Sequence, residues 1–411
     1  MIVVLKDQKP APSFWPFLNC LRFAGFFPCK KVTYNESPYA RLVPIQWPIQ
    51  LLCYLSSTLI TIVSTILAFY HICPNDVNAL NCFVDIQKIG AAMEHSNFDF
   101  MVLMAIYGCV FAIHGCLMVG LVSFKAKLCE VHDCTLHQSG ADPSMTQSLK
   151  RKFNQHVMTM LIILLGWPCF IIGYSMNIID SLSVDVIDVI PLVIWWIVFI
   201  LWCFGPLFSF HFYFLEVSLI LYSWILSLKD KIIKNHPFIY LLNDCKTMLK
   251  CLVMFSESIT VMLFWLFTMI LLFAIIEVYL LIAFFLSKDN ITVGITFNIC
   301  GYGFFGILFI YFAHIYCTFS QLFKDHIESI KNRIADIDLN EVQTVSVIDG
   351  KRQSIKHVKE RIVAGLEGFH GFHGNGYFTL GKPLFSSITA NFITYLIILV
   401  QFKVSEMSSA K

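Results

Sequence analysis

Residues 382–403 read KPLFSSITANFITYLIILVQFK. The positions between Lys382 and Lys403 carry no acidic or basic side chain, and their number matches the roughly 20 residues that a helix needs to cross hydrocarbon. The polar residues within this stretch are periodic. Ser387, Asn391, Thr394 and Gln401, with the apolar Ile398 between the last two, are spaced 4, 3, 4 and 3 and fall on one stripe of a helix. An unpaired polar group in hydrocarbon is costly, so this stripe must meet other helices or line water. Periodicity leaves both outcomes open, and interhelical packing is the commoner one for Ser, Thr and Asn.

Six further stretches lack Asp, Glu, Lys and Arg: Arg41 to Asp76, Asp99 to Lys125, Lys152 to Asp180, Asp188 to Glu216, Glu257 to Glu277, and Asp289 to Lys324. The fifth has to run past Glu277 to be long enough. The spans are expected at about 47–70, 98–122, 156–176, 188–212, 259–286, 292–316 and 384–402, with ends uncertain by about four residues. Composition agrees. Of 411 residues, 57% are hydrophobic and 14% charged, against about 25% charged in a soluble domain, and the mean hydropathy is +0.71. The sequence therefore predicts an all-α membrane protein of seven transmembrane helices. A formal net charge of +2 gives no footing for nucleic acid, which is bound by clustered Lys and Arg.

Orientation follows from the basic residues. The segment before the first span and the loops after the second, fourth and sixth hold 25 of the 29 Lys and Arg, leaving Lys88, Lys288, Lys403 and Lys411 for the other side. Excess Lys and Arg in short loops stays in the cytoplasm. The amino terminus is expected inside, since Lys6, Asp7 and Lys9 break any signal-peptide core, and the carboxyl terminus outside. The domain reading is a cytoplasmic segment 1–46, a six-helix region 47–316 with cytoplasmic extensions, a cytoplasmic loop 317–383, the seventh helix 384–402 and an extracellular tail 403–411.

The cytoplasmic parts carry pattern of their own. Ile355, Val358, Ile362, Leu366 and Phe369 recur at helical spacing on an otherwise basic segment, and Leu215, Leu219, Tyr222 and Leu226 extend the fourth helix toward Lys229. These predict a cytoplasmic helical bundle, with amphipathic helices on membrane lipid as the alternative. Asp336 to Gly350 reads as a loop. Most of the fifteen cysteines fall in the membrane or the reducing cytosol. Cys73 and Cys82 lie outside, where a bridge and two free thiols are equal alternatives. His370 and His373 form one His-x-x-His, too few ligands for a metal site, so packing or hydrogen bonding is expected of them. No nucleotide loop, hydrolase elbow or metal-enzyme pattern occurs, and no cofactor is expected.

In the outer halves of helices two to six, aromatic residues dominate: Trp167, Tyr174, Trp195, Trp196, Tyr279 and Tyr302. They suit a pocket for a small molecule, with lipid-facing belts or core packing as the plainer alternative. Glu277 is the acid well inside a span, where an ionisable group is a functional candidate or a buried partner for a neighbouring Tyr or Asn298.

The segment Gly376-Tyr377-Phe378-Thr379-Leu380, followed by Thr394-Tyr395, five apolar residues and Gln401-Phe402, resembles the carboxyl-terminal signature of the insect gustatory receptor family. The likeness covers about 27 residues; the rest of the chain matches in architecture alone. It implies a seven-helix, ligand-gated, poorly selective cation channel, related to insect odorant receptors and built as a homo- or heterotetramer in the plasma membrane. The seventh helix would line the pore and the cytoplasmic helices would form an anchor. The implied pore positions are Ser387, Asn391, Thr394, Ile398 and Gln401, and the implied partners are a small-molecule tastant and permeating cations. Leu396 stands where sugar-responsive members often carry an acid, which argues away from a sugar. Bitter compounds, carbon dioxide components, fructose and co-receptor roles stay open. Two other classes fit less well. A G-protein-coupled receptor conflicts with the orientation and lacks its markers. Gly301-Tyr302-Gly303 within a span would suit a secondary transporter, but no internal repeat accompanies it. An enzyme would need a catalytic cluster that the sequence lacks.

Overall fold

The computed structural model describes residues 15–32, 41–72, 97–138, 151–152, 154–159, 162, 166–182, 186–234, 236–287, 293–337, 345–348 and 351–409. In chain order these form α1 (Trp15–Phe23), β1 (Cys29–Val32), β2 (Arg41–Pro44), α2 (Trp47–Ile72), α3 (Asn97–Ser123), α4 (Lys125–Gln138), α5 (Gly166–Leu182), α6 (Val186–Ile233), α7 (Phe238–Ser287), α8 (Val293–Asp336), β3 (Val345–Ile348), β4 (Lys351–Ser354), α9 (Ile355–Glu367), β5 (His373–Gly374), β6 (Phe378–Thr379) and α10 (Lys382–Ser409). The strands make three separate antiparallel hairpins, so helices carry the architecture.

Each expected span falls on helix where its residues are described. Among the described residues, five helices are long and apolar enough to cross a membrane: those at Trp47–Ala68, Val189–Ile233, Phe238–Leu272, Ile299–Asp336 and Lys382–Phe402. The pair Val110–Ser123 and Lys125–Thr135, bent by 62°, makes a sixth only if the two are one span. The expected span 156–176 overlaps α5 and the helical turn at 154–159, with intervening positions outside the described residues.

Helix length positions the rest. α6, α7 and α8 have 48, 50 and 44 residues. At about 1.5 Å per residue each exceeds 60 Å, about twice the hydrocarbon thickness. Half of each helix must therefore pack outside the membrane, and these halves build one bundle. Their facing residues include Phe214, Leu221, Ile225, Leu252, Phe255, Phe323, Ile327 and Ile330, all buried. α9 packs into the same bundle, burying Ile355, Val358, Ile362 and Leu366, with Phe369 just beyond its end. The amphipathic face thus meets protein rather than lipid. Lys359 reaches across to donate to the carbonyls of Ala335 and Ile337 at 2.8 and 2.7 Å, capping the end of α8.

Two local expectations need correction. The stretch read as a loop contains β3, which pairs with β4 in the register Ile348↔Lys351. Val345, Val347 and Ile348 are β-branched, and Asp349-Gly350 is a turn dipeptide; that hairpin signal outweighs the polar composition around it. The cysteines are also not all unpaired on the bundle side. Cys134 of α4 and Cys251 of α7 are joined, with Cα atoms 6.3 Å apart, because the two helices pack side by side. The β1–β2 hairpin, which the sequence reading did not anticipate, lies on α4. Leu42 N–H donates to Asp133 Oδ1 at 2.9 Å, and the Cys29 and Cys129 sulfurs are 3.1 Å apart. The Cys129 thiol and burial hold the Cys29 thiol well above its ordinary range, so this pair is packing rather than a reactive centre. Cys73 and Cys82 lie outside the described residues.

Candidate functional site

The first candidate is the stripe on α10. Ser387, Asn391, Thr394, Ile398 and Gln401 are all exposed, Ile398 at 40%. On the opposite side Leu384, Phe385, Ile388, Leu396 and Leu399 pack against the core of the chain, where α10 lies on α7 and α8. No residue in the apolar window of this span is fully buried. The polar face therefore points away from its own chain. Thr394 returns its hydroxyl to the carbonyl of Ala390 at 3.0 Å. Tyr395, beside the stripe, is 53% exposed.

The hairpin that leads into α10 is built tightly. Thr379 pairs with His373 and Phe378 with Gly374, and the turn between them places Asn375 at φ +48° and Gly376 at φ +80°. A left-handed turn of this kind favours Gly and Asn. This accounts physically for the Gly at the start of the Gly-Tyr-Phe segment. His373 Nδ1 lies 2.9 Å from Thr260 Oγ1, so this histidine hydrogen-bonds, as its sequence context predicted. His370 is exposed. Among the described residues no group of three or more His, Cys, Asp or Glu is placed to hold a metal.

The second candidate is the aromatic region. Tyr174 and Trp196 come together, with ring centroids 5.0 Å apart, and Phe170 joins them at 6.1 and 5.4 Å. Trp195, stacked on Phe199 at 5.3 Å, turns toward α2 and donates its indole N–H to Thr65 Oγ1 at 2.7 Å. Trp195 and Trp196 are thus neighbours in sequence with different tasks. Trp196 is 5% exposed, and its Nε1 has no hydrogen-bond partner among the described residues. A buried N–H without an acceptor is costly and aims at whatever occupies its surroundings. Tyr279 is fully buried on α7. Trp167, Glu277 and Tyr302 belong to α5, α7 and α8, but their side chains lie outside the described residues.

Gly301 brings α5 and α8 together: a Cβ there would sit 2.8 Å from the Phe170 Cα. Gly301 thereby serves close helix packing, whereas a Cβ at Gly303 would meet open space, and the helix runs unbroken through both. The sequence reading also missed a half-buried polar ladder between α2, α3 and α6. Trp202 Nε1 donates to Thr58 Oγ1 at 3.1 Å, Tyr54 Oη lies 3.0 Å from His114 Nε2, and His114 stacks on Trp202 at 4.1 Å. The available signal was Tyr54, Thr58 and Thr65 at helical spacing on α2, facing Trp195 and Trp202 seven residues apart.

No protein-family model matches the sequence, and no curated protein does. Solved structures do match. Against the insect olfactory receptor OR5 from Machilis hrabei in complex with eugenol, the chain superposes with a TM-score of 0.64 at 11% identity, over 94% of this chain and 97% of that one. A second structure of the same receptor gives 0.64 at 10% identity, over 95% and 98%. The fold is accordingly the all-helical, seven-transmembrane fold of insect olfactory receptors, matched from end to end. Both are structures of an olfactory receptor, not of an enzyme.

The two tryptophans give a test. Trp195→Phe removes a made hydrogen bond and leaves Thr65 without its donor, whereas Trp196→Phe removes an unmade one. In thermal unfolding of the purified protein, Trp195→Phe is expected to cost about 1 kcal/mol more than Trp196→Phe. Equal losses would mean that the Trp196 N–H is satisfied within the chain.

Proposed function

We propose that this chain is a subunit of a chemosensory, ligand-gated, non-selective cation channel of the gustatory kind, opened by a small tastant. The observation that carries the reading is the α10 stripe: polar, periodic, and turned away from its own chain. Hydrocarbon cannot solvate it, so its natural partners are other copies and water. A symmetric tetramer satisfies this by bringing four stripes around one axis, where Ser387, Asn391, Thr394 and Gln401 would replace part of a cation's hydration shell. Ile398 on the same stripe would form the apolar constriction. The end-to-end likeness to an olfactory receptor fold supports the same architecture, and the carboxyl-terminal signature favours the gustatory branch.

The ligand site in this reading is the region of Phe170, Tyr174 and Trp196, where flat rings and one unpartnered indole N–H suit a small aromatic molecule carrying an acceptor oxygen. OR5 from Machilis hrabei was solved with eugenol, a methoxyphenol, which makes eugenol a rational first probe. Glu277, Trp167, Tyr279 and Tyr302 are the further lining residues we propose. The bundle of α6, α7, α8 and α9 is the cytoplasmic anchor, the assembly homo- or heterotetrameric, and the location the plasma membrane.

Orientation follows from the 25 basic residues on the bundle side. An epitope after Lys411 should be stained on intact cells and one before Met1 only after permeabilisation. The sequon Asn35-Glu36-Ser37 should stay unglycosylated. The opposite staining pattern would overturn the assignment of sides.

Whole-cell recording tests the function. Cells expressing the chain should pass an inward cation current, independent of G proteins, in response to a panel of small aromatic compounds that includes eugenol. In that current, Gln401→Glu should raise the calcium-to-sodium permeability ratio and Gln401→Lys should suppress conduction, each substitution acting four times around the axis. Leu399→Ala, on the packed face, should leave the ratio unchanged. Equal shifts from positions 401 and 399, or none from either, would mean that this face does not line the path.

A further inference from the structure

The connection between the bundle and α10 is held by two hydroxyl groups, one on each of the two long helices against which α10 lies. Thr260 of α7 makes three contacts to the hairpin. Its Oγ1 donates to the carbonyl of His373 at 2.9 Å, accepts from the N–H of Asn375 at 2.8 Å, and lies 2.9 Å from His373 Nδ1. A hydroxyl has one hydrogen to give and two lone pairs. With the hydrogen given to the carbonyl, Nδ1 must be the donor, and the hydroxyl is then saturated.

Ser320 of α8 is fully buried and ties the two ends of the same hairpin. It donates to the carbonyl of Leu380 at 2.9 Å and accepts from the N–H of Phe372 at 3.0 Å, while Leu380 N–H donates to the Phe372 carbonyl at 2.7 Å. Gly371, at φ +107°, permits this approach, since a Cβ there would stand 2.9 Å from Ser320 Oγ. The ring of Phe372 is sealed among Phe214, Phe255, Phe323 and Phe369, one from each of α6, α7 and α8 and one from the turn after α9, at centroid distances of 5.3–5.9 Å. Two residues beyond Leu380, α10 begins.

The two ends of this connection differ sharply in how firmly they are held. The hairpin is pinned by saturated hydrogen bonds and a buried aromatic ring, whereas the window of α10 that crosses the membrane has no fully buried residue. We infer that Thr260 and Ser320 are the positioning residues through which movement of α7 and α8 reaches α10, so that the hairpin, rather than the membrane-level contact of the helices, transmits gating. The inference rests on the channel reading above for its consequence, and on the geometry alone for its placement.

Two measurements test it. The first is ligand-free current and the half-maximal concentration for eugenol, recorded with surface biotinylation and reversal potential. Thr260→Val keeps the shape and removes all three hydrogen bonds of the Thr260 hub; Thr260→Ser keeps the hydroxyl. Thr260→Val and Ser320→Ala should change the ligand-free current or the half-maximal concentration by about fivefold or more. Permeability ratios should be unchanged, and Thr260→Ser should behave as wild type. Val at position 260 acting like wild type at equal surface level would overturn the inference. If Thr260→Val does not reach the surface, His373→Leu, which removes one of the three contacts, takes its place with the same criteria. A wild-type chain without current would count against the channel reading instead.

The second measurement needs no current. In hydrogen–deuterium exchange of the purified protein, Thr260→Val should speed exchange in 371–381 and also in the first turns of α10, 382–390, while α9 keeps its protection. Faster exchange confined to the hairpin, or no change, would show that α10 does not depend on the hub.

Discussion

Hydrocarbon cannot solvate the stripe of Ser387, Asn391, Thr394 and Gln401, and its own chain leaves that face exposed, with Thr394 alone among them returning its hydroxyl to a helix carbonyl among the described contacts. Everything distinctive about this protein is arranged around that deficit. The helix is apolar enough to cross the membrane and packs one side on α7 and α8, yet it leaves its polar stripe outward. In a monomer surrounded by lipid such a helix would be disfavoured. In the channel we propose, the remedy is an environment that several copies create together.

The same constraint explains why so much of the molecule lies outside the membrane. Helix association within lipid gains little from apolar burial, because lipid tails are as apolar as the side chains. Water restores that driving force. α6, α7 and α8 extend well beyond the bilayer, and there they bury Phe, Leu and Ile in an ordinary hydrophobic core that also receives α9 and the ring of Phe372. The stable part of the fold is this bundle, and α10 is attached to it by one short, rigid hairpin. The membrane halves of α2, α3 and α6 add to their apolar packing a ladder of Thr, Tyr, His and Trp side chains.

Much of this was legible in the sequence, for identifiable reasons. Charge is so unfavourable in hydrocarbon that gaps between charged residues locate spans directly, and the periodicity of Ile355, Val358, Ile362 and Leu366 predicted a buried helix where one is found. The stripe on α10 was visible because helical spacing is short range. What was not legible depends on tertiary approach. The Cys134–Cys251 bond joins residues 117 apart in sequence. The different tasks of Trp195 and Trp196 are set by which neighbour each indole meets. Thr260 looks like any threonine in an apolar helix, and its three bonds to a hairpin more than a hundred residues away leave no local mark. In the aromatic region, Tyr174, Trp195, Trp196 and Tyr279 are all buried, but aromatic composition could not say which of them pack on one another and which leave a polar group unspent.

The central claim is that the α10 stripe faces a water-filled path shared by several copies. Cysteine substitution along this helix, followed by a charged, membrane-impermeant thiol reagent applied during current flow, tests it most directly. The account predicts block at 387, 391, 394, 398 and 401 and none at 388, 396 and 399, a periodicity that follows one face of the helix. Block without that periodicity, or block strongest at 396 and 399, would contradict it.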